Sequence, residues 1–521
     1  MSPSRLLAAV AVSLALAAPL APLHAAAPAA PSGVAWLEVA DDAGVDAAFA
    51  KAREARMPLL LYWGASWCPP CNQLQATLFN RRDFIERSRA FVAVHVDGDR
   101  PGAQKLGKRF RVSGYPTLVL LRPDGTEVTR LPGEADPPQV LGVLDLGLSG
   151  GRPVAAVLAD ARAGKPLAAN DWRMLAFYSW DTDDQQLASA ADRPGLLATL
   201  AASCPAALGA TRTRLWLKAL AASDDGHGVK GDAALRRLVL GVLRDPAGAR
   251  AQMDVLAYGA KPIVRAVSGA AAGGQADEVV AAYDTALRRL GRDDTLSRAD
   301  RLAALDARLD LTQLDRLDGE PLEPVPAPLL DDIRAQVARD DREIRDGYER
   351  QAVITEAAAL LAQAGLMAES DRLLEANLAK SHSPYYLMSQ LAGNARKRGD
   401  ASAALGWYAR AFDASQGPAT RLQWGASYLG ALVDLAPEDA PLIERVASQL
   451  IAEAAAQPNA FYERSARSLQ RAVERLARWN ADGRHADALA RLKRQLDAVC
   501  GRLGAADPQR ATCEALLPAA G

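Results

Sequence analysis

The chain has 521 residues, of which 50% are apolar and 24% charged. That length exceeds what one hydrophobic core holds, so a small N-terminal domain and one or two further ones are expected of an ordinary globular protein. Lysine plus arginine (61) nearly balances aspartate plus glutamate (62), which removes the electrostatic basis for binding nucleic acid or an anionic membrane.

At the N-terminus, Arg5 is followed by an apolar stretch from Leu6 to Leu20 and by the small residues Ala25-Ala26-Ala27. This is the pattern of a cleaved signal peptide over residues 1–27. The alternative is an uncleaved anchor helix, against which Pro19 and Pro22 break the stretch. No cysteine near the segment offers a site for lipid attachment. Export implies an oxidising compartment, the periplasm if the source is a double-membraned bacterium. No stable membrane insertion is expected after cleavage.

From 34 to 149 the pattern alternates. Val45 to Arg56 suits a helix with Phe49 and Ala52 on one face, and Pro58 to Trp63 reads as a buried strand. A helix over Pro69 to Asn80 follows, then a strand over Phe91 to Val96 and a short helix over Gln104 to Phe110. Thr117 to Leu131 reads as an antiparallel hairpin around the turn Pro123-Asp124-Gly125, and Pro138 to Leu148 as a closing helix. The sum is a sheet of about four strands with helices on both faces.

Beyond the linker Gly150-Gly151-Arg152-Pro153, alanine, leucine and arginine recur at helical spacing to the end. This part divides into a helical region, 153–350, and a repeat-like region, 351–521. Gly365 and Gly399 stand 34 residues apart, each between two apolar helices, and Gly483 marks a third turn out of phase. The pattern is similar to tetratricopeptide hairpins; an irregular helical bundle is the alternative. Tyr385, Tyr386, Trp407, Tyr408 and Trp424 either line a groove for a protein partner or fill the core.

The chemistry concentrates in Trp67-Cys68-Pro69-Pro70-Cys71. Two thiols three positions apart, delivered by a strand to a helix N-terminus, can close and reopen a disulfide. Unpaired amides and the helix dipole favour the thiolate of Cys68. Cys71, one turn in, attacks after Cys68 has formed a mixed disulfide. Pro69 and Pro70 fit a first helical turn, whose amides lack intrahelical partners, and Trp67 shields one side of an exposed sulfur. The motif could instead be half of a zinc site, but the other cysteines form no second CxxC and the histidines no ligand pattern. Gly114-Tyr115-Pro116-Thr117 places a proline at the start of a strand, a candidate cis peptide bond beside the thiols.

Together, Trp67 to Cys71, Tyr115-Pro116-Thr117, the Pro123-Asp124-Gly125 turn and Gly133 resemble the thioredoxin family in identity, order and spacing. The resemblance covers under a quarter of the chain, and its lead-in looks most like the exported branch. It implies an α/β thioredoxin-like fold followed by the all-α region, with Cys68 as nucleophile and Cys71 as resolving thiol. It further implies a cis Pro116, a substrate groove at Trp67, Tyr115, Pro116 and Gly133, and no organic cofactor or metal. The partners would be protein thiols and disulfides. One departure stands out: Tyr62 occupies the strand position where many thioredoxins carry a buried carboxylate.

Of the remaining cysteines, Cys500 and Cys513 are candidates for a structural disulfide, with two free thiols or a pairing with Cys204 as alternatives. Cys204 reads most simply as an unpaired core residue. Two functions follow: an exported thiol–disulfide oxidoreductase, or a helical interaction protein whose small domain is a scaffold or redox-gated module.

Overall fold

A computed structural model describes residues 33–112, 114–183, 186–223, 228–268, 274–314, 316 and 322–517. The expected signal peptide lies outside these residues.

The N-terminal domain is a five-stranded sheet in the order β1-β3-β2-β4-β5, where β1 is Leu37–Val39, β2 Leu59–Gly64, β3 Val92–Asp97, β4 Thr117–Leu121 and β5 Glu127–Leu131. The first three strands run parallel and the last two antiparallel. Sequence alone suggested about four strands. The extra one, β1, spans three residues at the sheet edge, too few to display a period of two. Every residue of β2 is buried, and its side chains alternate between two cores. Leu59, Leu61 and Trp63 join α1 (Asp42–Ala55) on one face; Leu60 and Tyr62 join the other.

Asp41 caps α1 by accepting from the Gly44 amide at 2.8 Å. Val45, Ala48, Phe49 and Ala52 form its buried stripe. The segment expected to be one helix over Pro69 to Asn80 is α-helical only over α2 (Pro69–Leu74) and continues as a π turn over Gln75–Phe79. A further helix, α3 (Arg82–Arg87), buries Phe84 alone, which left no periodicity to read. The helices α4 (Ala103–Arg109) and α5 (Pro137–Leu148) fall where expected. The Asp124 side chain accepts from Thr126 N at 2.8 Å in the β4–β5 turn, where Gly125 takes φ 90°.

After Leu131 the described residues form helices and no strand. The break at Gly150-Gly151-Arg152 does not interrupt the core. Leu60, Leu118 and Leu120 of the sheet share one apolar cluster with Val157, Trp172, Leu175, Tyr178 and Trp180. Arg130 on β5, fully buried, reinforces the junction through the carbonyls of Phe110, Arg111 and Thr182. Three more clusters succeed one another along the chain. Gly365 and Gly399 take φ 81° and 79° between consecutive helices, Gly347–Gln363 with Met367–Asn377 and Pro384–Lys397 with Ala401–Ala414. The helix Gly347–Gln363 packs against α2, and Glu463–Trp479 against α4, so the later helices return onto the sheet domain.

Candidate active site

β2 ends at Gly64, and a short loop leads to Cys68, the N-cap residue of α2. Cys68 and Cys71 are joined by a disulfide with Cα atoms 5.2 Å apart. The Cys71 amide donates to Cys68 Sγ at 3.2 Å. Asn72 Nδ2 ties the loop by donating to the carbonyls of Ser66 at 2.7 Å and Cys68 at 2.8 Å. The Tyr115–Pro116 peptide bond is cis. Since Thr117 pairs with Trp63 across β4 and β2, this corner meets the loop that carries the cysteines. Gly133 closes the same corner; a Cβ there would stand 3.3 Å from Pro116 Cγ.

Tyr62 on β2 is buried and stacks on His95, and burial raises its hydroxyl well above its ordinary range, with Asp97 and Glu38 adding to the rise. It therefore keeps its proton near neutral pH. His95 itself meets Glu38 at 2.9 Å, a contact between β3 and β1 remote from any metal arrangement. Among the described residues no group of three histidine, cysteine or carboxylate side chains is placed to hold a metal ion.

A family model described as a thioredoxin-like domain matches residues 45–147. The N-terminal domain is thioredoxin-like. Two curated relatives are 30% identical to it, thiol:disulfide interchange proteins DsbD 1 and DsbD 2 of Pseudomonas aeruginosa. The first matches over 118 residues, 22% of this chain and 20% of the relative; the second over 115 residues, 21% and 20%. The chain thus spans about a fifth of the length of these relatives, and the helical region lies outside the likeness.

The helical region changes what this thioredoxin-like domain presents. A solvent-facing Cys68 was the expectation, but Cys68 and Cys71 are each only 2% exposed. The cover has identifiable parts. Tyr386 stacks on Trp67 with centroids 6.0 Å apart, and Trp424 packs edge-on to Tyr386. Tyr386 and Trp424 thus pack toward the tryptophan of the cysteine motif, whereas Trp407 packs against a separate cluster. His382 Nε2 lies 2.9 Å from the Ser66 carbonyl.

A buried polar clamp holds this cover. Trp67 Nε1 donates to Asp99, which also accepts from Thr420 N at 2.8 Å and Thr420 Oγ1 at 2.6 Å. Arg464 pairs with Asp99 at 3.4 Å and lies over the rings of Trp67 and Tyr115, 4.5 and 5.6 Å from their centroids. Gln104 links the Gly98 carbonyl and the Tyr115 hydroxyl to the Arg464 amide. Tyr115 lies so close over Gly98 that a Cβ there would stand 2.0 Å from its hydroxyl. The chain delivers Arg464 from Glu463, a non-glycine residue at φ 42°. Sequence reading did not single out Asp99, Gln104, Thr420 and Arg464, and it named Tyr386 without a partner. Asp99 lies hundreds of residues from its helical partners Thr420 and Arg464.

In front of Pro69, Pro70, Pro116 and Gly133, between the thioredoxin-like domain and the helices, lies a cavity of about 520 Å³. Elsewhere, Cys500 and Cys513 form a disulfide with Cα atoms 5.6 Å apart, and Cys204 is free and buried, its thiol held above its ordinary range by burial.

Proposed function

We propose that this protein is a thiol–disulfide oxidoreductase in which Cys68 is the nucleophile and Cys71 the resolving thiol. The observation that carries the proposal is the position of Cys68. It caps α2, its sulfur accepts the Cys71 amide, and the cis Tyr115–Pro116 corner stands beside it. Amides at a helix N-terminus stabilise a thiolate over a thiol.

In the reducing direction, the Cys68 thiolate attacks one sulfur of a substrate disulfide, and the other substrate sulfur leaves as a thiolate that takes up a proton. Cys71, once deprotonated, attacks Cys68 Sγ and releases the second substrate thiolate. Substrate gains two electrons and the protein disulfide re-forms. Each step runs in reverse when a dithiol attacks the protein disulfide. Tyr62 holds its proton, so water or the departing thiolate accepts that of Cys71.

The groove for an extended substrate is assigned to Tyr115, Pro116 and Gly133, which line the cavity, whereas Trp67, expected beside them, lies under Tyr386 and Arg464. We also place the protein in an oxidising compartment, because a disulfide such as Cys500–Cys513 persists there. The names of the two relatives are consistent with interchange chemistry. In the test, Cys68→Ser abolishes dithiol-dependent reduction of a small disulfide, while Cys71→Ser accumulates a mixed disulfide through Cys68. Undiminished turnover by Cys68→Ser removes that residue from the mechanism.

The burial of both cysteines favours one second reading, a redox-gated scaffold in which the disulfide holds the helical cover in place. Under that reading the reduced protein shows no disulfide turnover, and reduction changes only the packing around Trp67, read from its fluorescence.

A further inference from the structure

The cavity beside the cysteine motif has a composition of its own. Its volume of about 520 Å³ lies within the ~300–1,000 Å³ typical of ligand sites, room for a few residues of extended chain and none for a folded domain. One wall is the thioredoxin-like domain, including Pro69, Pro116, Gly133 and Glu134; the region after it supplies the rest. Pro69 and Pro70 of the motif line this cavity and neither cysteine does; with Trp67 and Tyr115 clamped by Arg464, it is the open space that borders the motif.

Its charges are unequal. Two wall carboxylates are neutralised within the protein: Asp181 by Arg193 at 2.9 Å and Asp254 by the Arg214 guanidinium. Glu134, Asp306 and Glu356 also line the cavity, and among the described residues none of them has an ion-pair partner. Asp306 Oδ1 is buried without any hydrogen bond. Against these three, the one wall cation without an ion-pair partner among the described residues is Lys218, on the helix Gly209–Ala221. Tyr258, 58% exposed, offers a large ring among these carboxylates. Unpaired carboxylates around an open aromatic ring suit a lysine or arginine side chain.

We propose that the cavity is a substrate chamber selecting an extended polypeptide segment that carries a lysine or arginine side chain near its cysteine. The proposal rests on reading Cys68–Cys71 as the exchange centre. The helical region then acts as a filter. It denies folded surfaces access to the motif and draws in unfolded, basic segments. Empty, the chamber holds its carboxyls above their ordinary range: burial, with Asp310 and Glu356 nearby, pushes Asp306 up to about 7, and burial raises Glu134 and Glu356. A bound cation would relieve that penalty.

The test is binding of two cysteine-free seven-residue peptides to the full-length oxidised protein, one with lysines alternating with serines and one with glutamates in place of the lysines. The lysine peptide is expected to bind at least about tenfold tighter, and Glu356→Lys to bring the ratio below about two. Should Glu356→Lys fail to fold, Glu134→Gln carries the same test with a fall of at least about threefold, since Glu134, although enclosed by the cavity walls, stays accessible within the chamber and its replacement disturbs little packing. Equal affinity for the two peptides overturns the charge selection. Turnover of a small neutral disulfide is read in parallel. Preference without turnover overturns the exchange reading and the chamber's role with it; turnover without preference overturns the selection alone.

Discussion

The two disulfides are both buried in helical surroundings, and they differ in what faces the sulfur. Cys500 and Cys513 sit among Leu492, Leu496 and Leu516, and no donor among the described residues is aimed at either sulfur. Cys68 caps a helix, takes an amide from Cys71, and lies behind Pro69 and Pro116, which line a cavity. The bridges also close loops of different size, with sequence separations of 13 and 3. In the loop-entropy model the first contributes about 3 kcal/mol and the second about 2. Burial alone therefore does not separate a structural bridge from a reactive one. Under the proposed exchange function, local hydrogen bonding and an adjacent open space do.

Four substitutions sharpen or break this contrast. Cys68→Ser should lower turnover of a small disulfide at least about a thousandfold, measured by dithiol-dependent reduction. Asp99→Ala leaves the Arg464 guanidinium buried without its carboxylate, and should cost about 3–5 kcal/mol in the denaturant midpoint. It should also speed alkylation of reduced Cys68, because the cover over Trp67 loosens. The double substitution Cys500→Ala with Cys513→Ala should cost about 3 kcal/mol and leave disulfide turnover unchanged. A loss of turnover equal to that of Cys68→Ser would erase the distinction between the bridges.

The smallest effect concerns pH. Asp306 is pushed up to about 7 by burial, with Asp310 and Glu356 adding to the rise, so the folded chain binds this proton more tightly than the unfolded chain does. Its contribution to stability is present below the ordinary carboxylate range and is lost as pH rises to about 7. Asp306→Asn should therefore stabilise the protein by about 1–3 kcal/mol at pH 8 relative to pH 4, read from urea midpoints at both pH values.

Much of the sheet domain was legible because its strands are continuous apolar runs bounded by proline and glycine. Pro58 to Trp63, Phe91 to Val96 and the Pro123-Asp124-Gly125 turn lie within a residue or two of their elements. β1 escaped because three residues carry no period, and the π turn at Gln75–Phe79 because its side chains still fit a helical spacing. The cysteine motif was legible as chemistry, since its meaning is local. Its cover was not. Tyr386 and Trp424 read as either groove or core residues, and nothing in their neighbourhood names Trp67 as the residue they pack on. Asp99 and Arg464 are a pair only in three dimensions. Gly150-Gly151 read as a linker, yet the core runs across it, because leucines of β4 and Val157, Trp172 and Leu175 of the following helices fill the same layer.

The most direct test follows both bridges in one sample. The full-length protein is equilibrated with glutathione and dithiothreitol buffers of increasing reducing power, alkylated, and its free thiols located by mass spectrometry of peptides. The account predicts that Cys68 and Cys71 become reduced between about −120 and −270 mV while Cys500–Cys513 stays closed to below about −300 mV. If Cys68–Cys71 opens only below about −300 mV, together with Cys500–Cys513, it is a structural bridge and the exchange function is contradicted.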